Sequence, residues 1–175
     1  MTSLPKILYQ ASKYLLLFFL ASFMGWFYEV TCVYAMFGVY IDRGVLHLPA
    51  CPIYGFGMLI LYAAFHKVKN PLIIFAGSAL ISTAVEYAAY EILYYGFNLV
   101  LWSYELWPLN YKGKICVISS CLFGLMTVLF MKLAVPPAEK LFDSKTDSKA
   151  KNYAAAAVAV FYMFCIGWEI YHLGH

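Results

Sequence analysis

Long apolar runs constrain this chain more than anything else in it. Five stretches reach or approach the roughly 20 residues that an α-helix needs to cross a hydrocarbon core: about 13–34, 52–65, 71–95, 115–135 and 152–173. Lipid offers no hydrogen bonds to an open sheet edge or loop, so such a chain must satisfy its backbone within helices. The spacing predicts an all-α integral membrane protein, a bundle of about five transmembrane helices in a single domain over 1–175. Composition points the same way: 64% of residues are hydrophobic and 12% charged, where soluble domains have about 45–50% and about 25%. The second stretch is the shortest, with Gly55 and Gly57 near its start. The preceding VLHLPAC segment completes it as a re-entrant piece near 44–52, or else runs as helix or surface loop. The first stretch is too long for the core of a signal peptide, contains Glu29 and has no small-residue cleavage site after it, so it reads as a retained anchor.

Orientation follows from the cations. Five spans put the N-terminus, the 66–70 turn and the 136–151 loop on one side, with Lys6, Lys13, Lys67, Lys69, Lys132, Lys140, Lys145, Lys149 and Lys151. The other side holds Arg43, Lys112 and Lys114. The positive-inside rule therefore predicts a cytoplasmic N-terminus and an extracytoplasmic C-terminus. The mixed charges of 136–151 read as a solvated cytoplasmic connector, the alternative being a short amphipathic turn around Lys140–Phe142 on the inner leaflet. A net charge of +3, scattered along loops, excludes a nucleic-acid binder. There is no GxxxxGK loop, so any ATP-driven step needs an ATPase on another chain. GxSxG and HExxH elements are absent, which favours a non-enzyme. His47 stands alone in a loop, and His172 and His175 lack a third ligand, so neither metal nor cofactor is expected.

Glu29, Glu86, Glu91 and Glu169 lie inside the apolar stretches. A charge at membrane depth costs from about 2.5 kcal/mol upward, so it persists only with a partner or a function. At 1.5 Å per residue, Glu29 lies roughly 24 Å beyond Lys13, and the predicted topology puts all four carboxylates in the outer half beside Arg43. Gly25, Trp26 and Glu29 share a helical face, and Gly167-Trp168-Glu169 repeats the set in compressed form. Glu91 is about 140° around the helix from Glu86, so it is the one to assign to the interface. Arg43 is the expected counter-charge, a bidentate donor for these carboxylates and for an anionic ligand. It reads equally as a headgroup-level arginine. Trp102, Tyr104 and Trp107 read as an aromatic belt at the outer surface. The five cysteines lack CxxC spacing and read mainly as small packing residues.

GWFYE at 25–29, DRGVLHLPACPIYGFG at 42–57, VEYAAYEIL at 85–93, WSYELWPLNYKGKIC at 102–116 and SSCLFG at 119–124 occur in that order. Over roughly residues 20–125 this series resembles the type IV ABC-transporter permease family, a group of bacterial multispan membrane proteins. Asp42 stands where that family usually has Asn, and Ser103 where it usually has Asp. The resemblance implies a bacterial cytoplasmic-membrane location, and the family's characteristic polar residues correspond to Trp26, Glu29, Arg43, Cys51, Pro52, Tyr54, Glu86, Trp102, Tyr104, Asn110 and Cys116. A disulfide between Cys51 and Cys116 is left open by their shared position at the outer face.

Taken together, these readings predict a transport component with an outward-facing polar pocket lined by Glu29, Glu86 and Arg43, with Tyr54 and Trp102 as walls. Its ligand would be anionic or lipid-like, and its partners membrane lipid with an ATPase or a second copy. The alternatives are an intramembrane enzyme on a lipid-linked substrate, with Glu29 or Glu86 as base, Arg43 holding phosphate and Cys51 a nucleophile, or an assembly subunit without a ligand.

Overall fold

A computed structural model describes residues 4–42, 44, 48–143 and 148–173. The architecture is α1 (Leu4–Phe37), α2 (Pro52–Phe65), α3 (Pro71–Phe97), a hairpin of β1 (Asn110–Tyr111) and β2 (Ile115–Cys116), α4 (Val117–Leu133), α5 (Val135–Phe142) and α6 (Ser148–Leu173). Four of the helical stretches, 6–37, 71–97, 117–142 and 148–168, are long and apolar enough to cross a membrane. Large apolar side chains such as Phe27, Leu72, Leu80, Val160 and Phe164 stand exposed along them. That is the surface of an all-α, multi-pass membrane protein, whose helices turn their apolar side chains to lipid.

The chain divides into two compact units. The first comprises Met1–Ile60 and Leu133–His175, the second Leu61–Lys132. In the first unit, α1 presents a narrow inward stripe of Ser12, Leu17, Ala21, Ser22 and Gly25. Small residues of this kind let helices approach closely where no hydrophobic effect separates helix from lipid. α6 runs parallel to α1: Tyr9 Oη donates to Asn152 Oδ1, Phe19 meets Phe161 edge-on at 4.3 Å, and Tyr162 Oη donates to Leu15 O. The segment read as a solvated connector begins with α5, whose Val135, Ala138 and Phe142 are buried in an i, i+3, i+7 pattern and which packs on α1 and α6. Pro136 and Pro137 fit its first turn, where no backbone donor is needed. Lys151 is buried at the start of α6, donating to Asp143 O and lying 5.4 Å from the Tyr9 ring centre. Its apolar stem and charged head thus tie α1, α5 and α6 together.

The short α2 is explained by what precedes it. α1 ends at Phe37, the chain turns back, and Asp42 already lies level with Trp26. By Cys51 the backbone has reached Ser22, whose carbonyl accepts the Cys51 N–H at 3.0 Å. Ser22 is about 22 Å below the C-terminal end of α1 at 1.5 Å per residue. The described part of 44–51 is therefore non-helical backbone carried deep beside α1, a placement that lipid tolerates only when protein shields the backbone. α2 then continues antiparallel to α1, with Tyr54 against Gly25, Gly55 against Ser22 and Phe18, and Phe56 edge-on to Phe18 at 4.9 Å. Fourteen helical residues suffice because the irregular segment covers the rest of the depth.

In the second unit α3 and α4 are antiparallel neighbours. Gly124 faces Phe75, and Thr83 Oγ1 donates to Ser120 Oγ at 2.6 Å. α3 starts at a capping Asn70, whose Oδ1 accepts from Leu72 N, followed by Pro71 at the first helical position. It ends at Asn98 in the left-handed region. The fourth apolar stretch, read as starting at 115, is helical only from Val117, because Ile115 and Cys116 pair with Tyr111 and Asn110 in the hairpin.

Candidate functional site

Each unit holds a carboxylate–tyrosine pair on a long helix. In the first, Tyr54 Oη donates to Glu29 Oε1 at 2.6 Å. The reach depends on Gly25, one turn before Glu29. A Cβ there would fall on the stem of Tyr54, 2.6 Å from its own Cβ and closer still to its ring. Without a side chain at 25, the ring lies flat on α1 and its hydroxyl lands on the next turn. The neighbouring indole is also engaged: Trp26 Nε1 donates to Asp42 Oδ1 at 2.8 Å, and the same oxygen accepts Gly44 N at 2.9 Å. Cys51 is buried at the foot of this group, and all five cysteines are free thiols. Arg43 and His47 lie outside the described residues, as does the side chain of Glu169.

In the second unit Tyr104 Oη lies 2.5 Å from Glu86 Oε1 and 3.0 Å from the fully buried Ser119 Oγ. The loop between Asn98 and Cys116 sets this position. Tyr104 N donates to Gly113 O, Trp102 Nε1 to Lys114 O, and Asn110 braces the turn through Trp107 O and Gly113 N. Lys112 and Gly113 both have positive φ, 52° and 68°, and Cys116 Sγ reaches Pro108 O. Trp102 and Tyr104, read as a surface belt, thus also hold the loop together. Gly113→Ala should cost about 1–2 kcal/mol from the left-handed backbone alone, with further strain because the added Cβ would lie 2.8 Å from Glu105 Cγ. Unfolding of the variant against the parent protein measures it.

Glu91 goes to a different partner from Glu86, as their angular separation implies. It pairs with Lys114 Nζ at 2.5 Å and also hydrogen-bonds Tyr87. The Glu91 hydrogen bond holds the Lys114 ammonium above the ordinary lysine range, against the opposing effect of partial burial. Sequence reasoning looked to Arg43 for a counter-charge and treated Lys114 as an ordinary loop cation. It also missed Asp42 as the partner of Trp26, and Ser119 beside Tyr104. The fixed spacing of Tyr104, Asn110, Gly113 and Cys116 was the available signal, but spacing does not reveal which way a loop folds.

These features define a multi-pass membrane protein whose motif residues pair with one another. The chain belongs to the family described as "Putative ABC-transporter type IV", whose model matches residues 16–168. No curated protein matches the chain, and no solved structure does.

Proposed function

We propose that this chain is the membrane-spanning component of a transport system, and that its polar groups handle an anionic or lipid-like ligand on the extracytoplasmic side. Two intramembrane carboxylates, each met by a tyrosine hydroxyl, carry this reading. A glutamate among apolar helices is expensive, and such residues commonly mark a substrate or proton path. Each tyrosine hydroxyl occupies a carboxylate oxygen that a ligand donor would otherwise engage, so ligand capture competes with the tyrosine contact. That is a physical means of coupling ligand capture to release. Glu29 with Tyr54 and Trp26, Glu86 with Tyr104, and Arg43 as an anion-binding fork are the groups assigned to it. Trp102, Asn110, Cys51 and Cys116 support them. The cation distribution favours a cytoplasmic N-terminus and an extracytoplasmic C-terminus. The family description favours an ATP-dependent system, and because the sequence has no nucleotide loop, a separate ATPase subunit supplies the ATP-driven step, while further copies of this chain would complete only the membrane path.

The test compares small solutes and lipids, without preselection, in cells carrying the parent gene, a deletion, Glu29→Ala or Glu86→Ala at matched membrane abundance. Transport predicts that both variants reproduce the deletion's change in a solute or intact lipid pool. Variants indistinguishable from the parent would contradict the reading. Accumulation of an unprocessed lipid precursor, without a change in solute flux, would favour an intramembrane enzyme instead.

A further inference from the structure

The outer part of α3 carries a feature that the carboxylate–tyrosine pairs do not use. Lys114 Nζ lies 5.6 Å from the ring centre of Tyr87, 5.4 Å from that of Tyr90 and 5.9 Å from that of Tyr95. All three distances fall within the range where a ring face attracts a cation. Tyr87, Glu91 and Tyr95 are spaced i, i+4, i+8 along one helical stripe, and Tyr90 stands beside it. The ammonium therefore lies against three aromatic rings and one carboxylate, with Tyr95 on the exposed side. The lysine side chain is only 16% exposed although it comes from a loop.

We infer that Tyr87, Tyr90, Tyr95 and Glu91 form a recognition cage for a quaternary ammonium group, which Lys114 fills as an internal substitute. Two observations select that ligand class. A lysine ammonium has three donors to satisfy, yet Glu91 is the one hydrogen-bond acceptor it has among the described side chains. The rest of its surroundings is ring face, which suits a methylated cation that has no donors to lose. In addition, Lys114 is carried by a hairpin of two-residue strands. Its ammonium stands on a flexible four-carbon stem, so it can swing away from the rings while the hairpin keeps its own hydrogen bonds and its packing on α3. Because the lysine is tethered, its effective concentration is high, and the cage yields to an outside cation only at high ligand concentration. This inference stands apart from the transport reading.

The test uses the purified full chain in nanodiscs. Tetramethylammonium chloride is titrated by calorimetry against equal sodium chloride, for the parent, Lys114→Ala and Lys114→Ala/Tyr90→Ala. The cage predicts at least tenfold tighter binding to Lys114→Ala than to the parent, and loss of that gain when Tyr90 is also removed. Equal binding by all three, or none above the sodium control, would overturn it. The unsubstituted protein gives a second readout: tetramethylammonium should raise the acylation rate of Lys114 severalfold while leaving Lys112 unchanged, and an unchanged Lys114 rate would also overturn the inference. Free choline in phosphatidylglycerol discs, set against phosphatidylcholine discs without choline, then tells a soluble ligand from a lipid headgroup. A rise in Lys114 labelling in either supports the cage and identifies its source.

Discussion

Gly25→Ala will destabilise this protein more than any other single methyl addition to α1. The added Cβ would overlap the Cβ and Cγ of Tyr54, which sit close to the α2 backbone and cannot swing aside as a side-chain tip could. Relief requires α2 to move off α1. That movement would break the Cys51 N–H bond to Ser22 O and draw the Tyr54 hydroxyl away from Glu29. Overpacking costs about 1–3 kcal/mol in ordinary cores, and here the loss should reach the upper end, about 3 kcal/mol. Denaturation in mixed micelles measures it. Adding Tyr54→Ala should recover part of the loss, since the two closest overlaps, with Cγ and Cδ2, go with the ring and only the contact with the Cβ of residue 54 remains; a double variant no more stable than Gly25→Ala would show that the ring is not what Gly25 accommodates.

Tyr104→Phe should cost about 2 kcal/mol. The substitution preserves the ring packing against Trp107 and removes only the hydroxyl that meets Glu86 and Ser119. Hydrogen bonds between membrane helices average about 0.6 kcal/mol, whereas those to charged groups reach about 1.5–3 kcal/mol. The hydroxyl serves both a carboxyl group and the buried Ser119, so the loss should fall toward the second figure. Glu86→Gln should cost less, because the amide oxygen still accepts from Tyr104. If instead Glu86→Gln proves the costlier change, the carboxylate depends on some other contact more than on the phenol.

Much of the architecture was legible in the sequence, and the physical reasons are specific. Apolar runs of nearly membrane length mark the long helices, because lipid leaves the backbone few alternatives. The i, i+4 spacing of Gly25 and Glu29 placed a small residue below a carboxylate on one face, and the angle between Glu86 and Glu91 separated their partners. What periodicity could not supply was the path of irregular backbone. Tyr54 reaches Glu29 only because the chain is back beside α1 before α2 begins, with Asp42 against Trp26 and Cys51 against Ser22. Tyr104 reaches Glu86 only because Gly113 and Asn110 shape the loop after α3. Lys114 reads as an ordinary surface lysine until the hairpin carries it over three tyrosines. The α5 segment misled for a related reason: its mixed charges look solvated, yet Val135, Ala138 and Phe142 line up on one side.

The two carboxylate–tyrosine pairs should each act as a unit. Double-mutant cycles test this directly, using Glu29→Gln with Tyr54→Phe and Glu86→Gln with Tyr104→Phe, with unfolding free energy in mixed micelles as the readout. Each cycle should give a coupling of about 1 kcal/mol or more, as expected for residues in one hydrogen bond. Additivity within about 0.3 kcal/mol in both cycles, the behaviour of distant and independent sites, would contradict it.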